Sequence, residues 1–306
     1  MLLKFAFQEF LCDRELKNVS STTITHYKDF FKLFGQYCTE QEIINAEDVT
    51  TGTIKSFLLV QKNERGNNPT TINTKLKHLK AFFNFLEQEE IIPNKQNPTK
   101  RIQKAKEEIK IEVFSDNHIK QMLGYYRRLK YRDKSFFSVR DHSIILFLLG
   151  TGVRLGELVN LKWQHVLFDQ GIITVYGKKR EYSSIPMSDK LKKEMREYKI
   201  FSEQTFDKLP EYVFTNTKGK KLSENSVKCM FKRLKDIMNF SDVRLSAHTF
   251  RHSFANRCLL AGMDVFSLQK LLRHSKLQQT ERYLAIWGTA LHEQNEKYNP
   301  LNNLDI

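Results

Sequence analysis

Between Phe5 and about Ile92 the apolar residues recur at spacings of three and four, as in Tyr27, Phe30, Phe31 and Phe34 and again in Leu76, Leu79, Phe82, Phe83 and Leu86. Only an α-helix brings positions so spaced to one side, so this stretch is predicted to be all helical. Ser20 or Ser21, Thr50 or Thr51, and Pro69-Thr70 mark helix starts, because short hydroxyl side chains cap the first turn and proline fits its first position. Four packed helices would bury the aromatic stripe, which reads as core and not as a ligand surface. The opening MLLKFAFQEFLCDRELKN is interrupted by Lys4, Gln8 and Glu9 and lacks a charged leader and a cleavage site, so it reads as an amphipathic helix. No window holds 18 uninterrupted apolar residues, and no membrane span is expected.

The helical pattern stops at PNKQNPTKRIQKAKEEIKIE, which carries two prolines and the cations Lys95, Lys100, Arg101, Lys104 and Lys106. Such composition predicts a basic linker over 93–112, able to follow a phosphate backbone. It would join a helical domain over 1–92 to a second domain over 113–306. In that second domain Ser115 or Asp116 caps a helix, and RDHSIILFLLGTGVRLGELVNL reads as two helices broken at Gly150 and Gly152. IITVYGKKREYSSIPM reads as a hairpin about residues 177–181, and EYVFTNTKGKKLSENSVKCMFKRL as a short strand, a turn and a helix capped near Ser223 or Asn225. The fold expected is mainly α with a small β-sheet: a helical N-terminal domain and a mixed α/β C-terminal domain.

Fifty Lys and Arg against 35 Asp and Glu give a net charge of +15, which favours a polyanionic partner, with nucleic acid the obvious one. The 23 phenylalanines argue against disorder as the reason for that charge. Cys12, Cys38, Cys229 and Cys258 are widely spaced without a CxxC pair, so neither a zinc site nor a disulfide framework is expected, and a reducing cytoplasm fits.

Within HTFRHSFANRCLLAGMDVFSLQKLLRHSKLQQTERYLAI stand His248, Arg251, His274 and Tyr283, at intervals of 3, 23 and 9. Arg154 lies upstream in TGVRLGEL and Lys178 in VYGKKREYSSIP. These are groups able to break and reseal a phosphodiester without metal or nucleotide. A phenol serves as nucleophile once its proton is taken. Arg154 and Arg251 offer guanidinium forks that match two phosphate oxygens. Lys178, at a hairpin tip, could hand a proton to a departing oxygen. His248 and Arg251, three apart, share one face of a helix whose Phe250, Phe254, Cys258 and Leu259 are expected to fill the opposite, buried face. Tyr283 follows Thr280-Glu281-Arg282, a plausible helix start, and would project from a first turn. His248 and His252 also have the four-residue spacing of a zinc helix, but Thr249 stands where that motif needs glutamate and no third ligand is evident.

These residues, together with Glu157-Leu158 and Trp163 after the first arginine, resemble the tyrosine recombinases of the phage integrase and Xer type. The resemblance covers most of the chain and implies a helical core-binding domain over 1–92 and a catalytic domain with a C-terminal tail over 113–306. It implies a site-specific DNA recombinase in which Tyr283 attacks the scissile phosphate and forms a 3′-phosphotyrosyl bond. His248 would be the acid/base near Tyr283, and Lys178 would protonate the leaving oxygen. Arg154, Arg251 and His274 would stabilise the transition state. No cofactor or metal is implied. The partner is double-stranded DNA, on which the working form would be a tetramer, with HEQNEKYNPLNNL similar to the tail that relatives dock into a neighbouring subunit. Two features depart from the family: Gly177-Lys178-Lys179-Arg180-Glu181 replaces a GKGxKxR-like turn, in which Lys178 aligns best and Lys179 next, and Arg273 replaces the common glycine before the second histidine. These departures leave open a DNA-binding regulator on the same scaffold, and the chemistry alone is shared with type IB topoisomerases.

Overall fold

The computed structural model describes residues 1–93, 96–108, 111–133, 135–177 and 182–283. Lys95, the hairpin tip with Lys178, and the tail beyond Tyr283 lie outside the described residues. The chain forms two compact units, Met1–Glu108 and Ile109–Ile306.

The first unit holds α1 (Leu3–Leu16), α2 (Ser21–Glu40), α3 (Thr51–Asn63) and α4 (Pro69–Gln88). Its helix starts follow the capping chemistry of the sequence. Ser20 and Thr50 accept the amide protons of Thr23 and Thr53, while Asn68 caps α4 ahead of Pro69. The aromatic stripes close into one core. Phe7 stacks on Phe31 with ring centroids 4.4 Å apart, and Phe10 meets Phe31 and Phe82 edge-on at 5.4 and 5.8 Å. Pairs of this geometry add about 0.5–1.5 kcal/mol each beyond the area they bury.

Residues 96–108, expected within a solvated linker, instead pack against this unit. The Asn73 side chain accepts from the Ala105 amide at 2.8 Å and donates to its carbonyl at 2.9 Å. Lys80 donates to the Ile102 carbonyl at 2.8 Å, and Ile102 itself is buried. A side-chain amide that mimics a strand partner fixes an extended segment without leaving a periodic signature, so composition alone read it as a connector.

The second unit begins with α5 (Asp116–Arg132), capped by Ser115, and α6 (Phe136–Thr151). Eleven of the sixteen residues of α6 are buried, and the helix packs against α5, α8 (Asp189–Phe206) and α10 (Ala247–Leu260). Between α7 (Leu155–Val159) and α8 lies an antiparallel sheet in the order β1 (Val166–Leu167), β2 (Ile172–Tyr176), β3 (Tyr182–Pro186). The pairs Ile172 with Pro186 and Tyr176 with Tyr182 set the register of the two strands; of the turn expected over 177–181, residues 178–181 lie outside the described residues. Ser223 caps α9 (Glu224–Met238), and α11 (Val265–Leu272) and α12 (Gln278–Glu281) follow α10. Ahead of α9 the expected short strand is reduced to isolated bridges, Lys162 with Tyr212 and Thr215 with Lys221. Among the described residues no helix is long and apolar enough to cross a membrane.

Of the two glycines expected to break the helix, only the second does. α6 runs through Gly150, where a Cβ would meet Leu191 of α8 at 3.2 Å, and ends at Gly152, whose φ of 58° is left-handed. A Cβ on Gly152 would come within 2.5 Å of the Phe254 ring. Gly152→Ala should therefore cost about 2–4 kcal/mol, the sum of left-handed backbone strain and an overpacked ring. A urea midpoint equal to wild type would show that Phe254 can swing aside freely.

Candidate active site

The left-handed turn at Gly152 reverses the chain into α7, and this reversal places the first site residue. Arg154 is the N-cap of α7 and the carboxylate of Glu157 closes a reciprocal box around it: Oε2 accepts the Arg154 amide at 2.9 Å, and Oε1 accepts the Arg154 guanidinium at 2.8 Å. Glu157 Oε2 also accepts from Arg273 at 2.7 Å. Both Glu157 and Arg273 are under a tenth exposed, whereas Arg154 keeps 32% of its side-chain surface open to solvent.

The C-terminus of α11 supplies the second anchor. The last carbonyls of a helix have no intrahelical partner, and here arginines fill them. Arg154 donates to the Arg273 carbonyl at 3.2 Å. Arg251, from α10, donates to the Leu272 carbonyl and, at 2.7 Å, to the carbonyl of Gly152. Arg273 closes α11 with a φ of 55°, in the left-handed position that glycine commonly fills. Two guanidiniums, those of Arg154 and Arg273, thus share one carboxylate, and that of Arg251 is held by carbonyls beside them. Burial first, then the charges of Arg154 and Arg273, push Arg251 down to about 9, still protonated at neutral pH. Converging cations fixed on backbone carbonyls are suited to an anion with at least two exposed oxygens.

His274 follows this anchor. Its Nδ1 pairs with the Thr280 hydroxyl at 2.8 Å. Burial and the charges of Arg251, Arg154 and Arg273 hold it neutral, down to about 4. His248 is exposed on α10, with its ring centroid 6.4 Å from that of His252. Partial desolvation and the charges of Arg251, Arg154 and Arg244 lower its pKa as well.

Tyr283 lies two residues past the end of α12 and not in a first turn, its amide donating to Thr280 at 3.0 Å. Its side chain is 3% exposed and packs in a cluster with Ala255, Leu259, Leu268 and Leu272. The phenol oxygen is 2.8 Å from Nδ1 of His252, so the imidazole in contact with it belongs to His252 and not to His248. Burial raises the phenol pKa against the opposing pull of Arg251, Arg282 and Arg154.

The faces of α10 also differ from the expected division. Arg251 is itself buried at 4% exposure with Phe250 and Leu259, while Phe254 and Cys258 are partly exposed. A guanidinium whose donors meet carbonyls can sit inside, and periodicity does not reveal that. Arg154, Arg251, His274 and Tyr283 gather around the end of α11 and the segment after it, with His248 alongside; Lys178 lies outside the described residues. Glu157 and His252 stand in this cluster without having been given a role in it, and Arg273, noted as a departure from the family beside His274, joins it through Glu157. The i,i+3 spacing of Glu157 from Arg154 was the available signal for the first, and the adjacency of His252 to Arg251 for the second. Among the described residues no group of three or more His, Cys, Asp or Glu is placed to hold a metal ion.

The family model of the phage integrase family matches residues 112–287, and that of the phage integrase N-terminal SAM-like domain matches 6–90. The tyrosine recombinase XerA of Pyrococcus furiosus is 30% identical over 302 residues, 97% of this chain and 95% of that relative. The tyrosine recombinase XerC of Leptospira interrogans is 26% identical, covering 93% of this chain and 89% of its own length. Among solved structures, the Tn1549 transposon integrase in complex with transposon right end DNA superposes with a TM-score of 0.77 at 21% identity, over 97% of this chain and 99% of that one. A lambda integrase dimer bound to a COC′ core site gives 0.73 at 17% identity, over 92% and 77%. By family models spanning both units and by its likeness to XerA over nearly its whole length, the chain belongs to the phage integrase family of tyrosine recombinases.

Proposed function

We propose that the chain is a site-specific recombinase that cuts and reseals double-stranded DNA through a phosphotyrosyl intermediate. The observation that carries this reading is the pair Arg154 and Arg251, pinned to the carbonyls that end α11, in the same site as a tyrosine whose hydroxyl rests on an imidazole. Arg154, Arg251 and His274 hold the non-bridging oxygens as charge builds on them. Tyr283 Oη attacks phosphorus, the bond to the 5′ oxygen breaks, and Lys178 protonates the departing oxygen. His248, reaching from one turn up α10, acts as acid/base at the phosphate. The ester energy stays in the phosphotyrosine, so resealing needs no nucleotide. The buried phenol meets a phosphate once the cluster over it opens. The working form is a tetramer on two sites, linked through the tail, in the cytoplasm where its DNA lies.

The test is a nicked duplex drawn by footprinting from DNA flanking the gene, in which cleavage releases a short fragment and traps the enzyme. An SDS-resistant protein–DNA adduct is expected. Binding should weaken steeply with salt as Lys and Arg contacts release counterions. Site-specific binding with no adduct would mark a regulator instead, and relaxation of supercoils without recombinants would mark a topoisomerase.

A further inference from the structure

We propose that His252 is the proton acceptor for Tyr283, a catalytic side chain additional to the six that hold and cleave the phosphodiester. The proposal rests on Tyr283 being the nucleophile. Its ground is the 2.8 Å contact between Nδ1 and Oη, with ring centroids 5.5 Å apart. Of the other imidazoles in the site, His274 turns Nδ1 to Thr280, and His248 sits one turn up α10 with its ring centroid 6.4 Å from that of His252, so His252 is the one in hydrogen-bond contact with the phenol.

The charge state suits the role. His252 is faced by His248 and Arg251 on α10, by His274 after α11, and by Arg282 and Tyr283 after α12. Burial and the charges of His248, Arg251 and Arg282 push His252 down to about 4, so at neutral pH the ring is neutral and can offer a lone pair on Nδ1. With the phenol pKa raised, transfer is uphill in the free protein. A phosphodiester seated on Arg154 and Arg251 brings negative charge beside His252, raising its basicity while those guanidiniums favour the phenolate. Proton removal is thereby tied to occupancy by DNA. In cleavage the Tyr283 proton passes to His252 Nδ1, the Oη–phosphorus bond forms, the bond from phosphorus to the 5′ oxygen breaks, and that oxygen takes a proton from Lys178. In resealing the 5′-hydroxyl returns its proton to Lys178 and attacks phosphorus, and Tyr283 departs, reclaiming the proton from His252.

The experiment measures adduct formation on the nicked duplex against pH, for the ordinary 5′ oxygen and for a 5′-bridging sulfur, whose thiolate leaves without an acid. His252→Gln should be slower by about 10²- to 10⁴-fold, the usual range for loss of a general base. Its rate should climb with pH as solvent ionises the phenol, and the defect should persist with sulfur, whereas Lys178→Ala should recover. A wild-type rate and pH profile for His252→Gln, or its rescue by sulfur, overturns the proposal while leaving the recombinase reading intact. Failure of the wild type to form any adduct removes both. Independently of activity, nitrogen-15 NMR of the unmodified protein should show His252 Nδ1 unprotonated and shifting in Tyr283→Phe; a protonated Nδ1 at neutral pH also overturns it.

Discussion

Tyr283→Phe should abolish the covalent DNA adduct, a loss of at least about 10⁴-fold, while leaving DNA affinity and folding close to wild type. The ring sits 3% exposed among Ala255, Leu259, Leu268 and Leu272, and phenylalanine refills that space atom for atom except for the hydroxyl. What is lost in stability is one hydrogen bond to His252, about 1 kcal/mol. The guanidiniums that hold the phosphate are untouched: Arg251 stays on the Gly152 and Leu272 carbonyls and Arg154 on Glu157. The separation of binding from chemistry is what makes the result decisive. Eleven tyrosines are present, and an adduct that survives in Tyr283→Phe would map the nucleophile to another of them. Weakened binding in a gel shift would show instead that the hydroxyl shapes the DNA surface.

The first unit was legible because its information is local. Spacings of three and four among Phe30, Phe31, Phe34, Phe82 and Phe83 report one buried helix face, and Ser20, Thr50 and Pro69 report where the helices start, with Asn68 found as the cap ahead of Pro69. The segment up to Glu108 was not legible, because Asn73 holds it through a long-range amide pair. In the second unit the hairpin could be read from two β-rich runs about a polar turn. Gly150 and Gly152 look alike in sequence; the contact of Gly150 with Leu191 and the left-handed φ of Gly152 separate them. The polar site residues drew notice as residue types and by resemblance, whereas their wiring did not. Arg251 seemed a solvent-facing partner of His248, yet backbone carbonyls of Gly152 and Leu272 draw it inside. His252 stood next to Arg251 in view, but only the return of the chain after α12 shows that it touches Tyr283. Arg273 appeared as a departure at a glycine position, and its role emerges with Glu157.

That carboxylate carries the largest expected stability effect. Glu157→Ala should destabilise the second unit by about 3–5 kcal/mol, because it strands the buried guanidinium of Arg273 and frees that of Arg154 at once. Removing one partner of a buried pair leaves desolvation uncompensated, which costs more than the pair contributes. Glu157→Gln keeps the shape and isolates the charge. Burial alone would raise the Glu157 pKa, but the charge of Arg273 and the bonds from Arg154 outweigh it, so the folded value lies below the ordinary 4.5. A lowered carboxylate pKa stabilises the fold fully above 4.5, and that contribution is lost as pH falls through the folded value. The buried-site imidazoles act in a different window. With His252 and His274 lowered to about 4, their destabilising protonation runs from the ordinary 6.5 down to about 4 and is common to both proteins. Urea midpoints should therefore run parallel for wild type and Glu157→Gln from pH 7 to about 5, offset by the lost pair, and converge below 4.5 as wild-type Glu157 takes up its proton. Curves that stay parallel through pH 3 would show that Glu157 carries no depressed pKa. The clamp would then owe its geometry to the α11 carbonyls, with Arg273 a tolerated substitution at a glycine position.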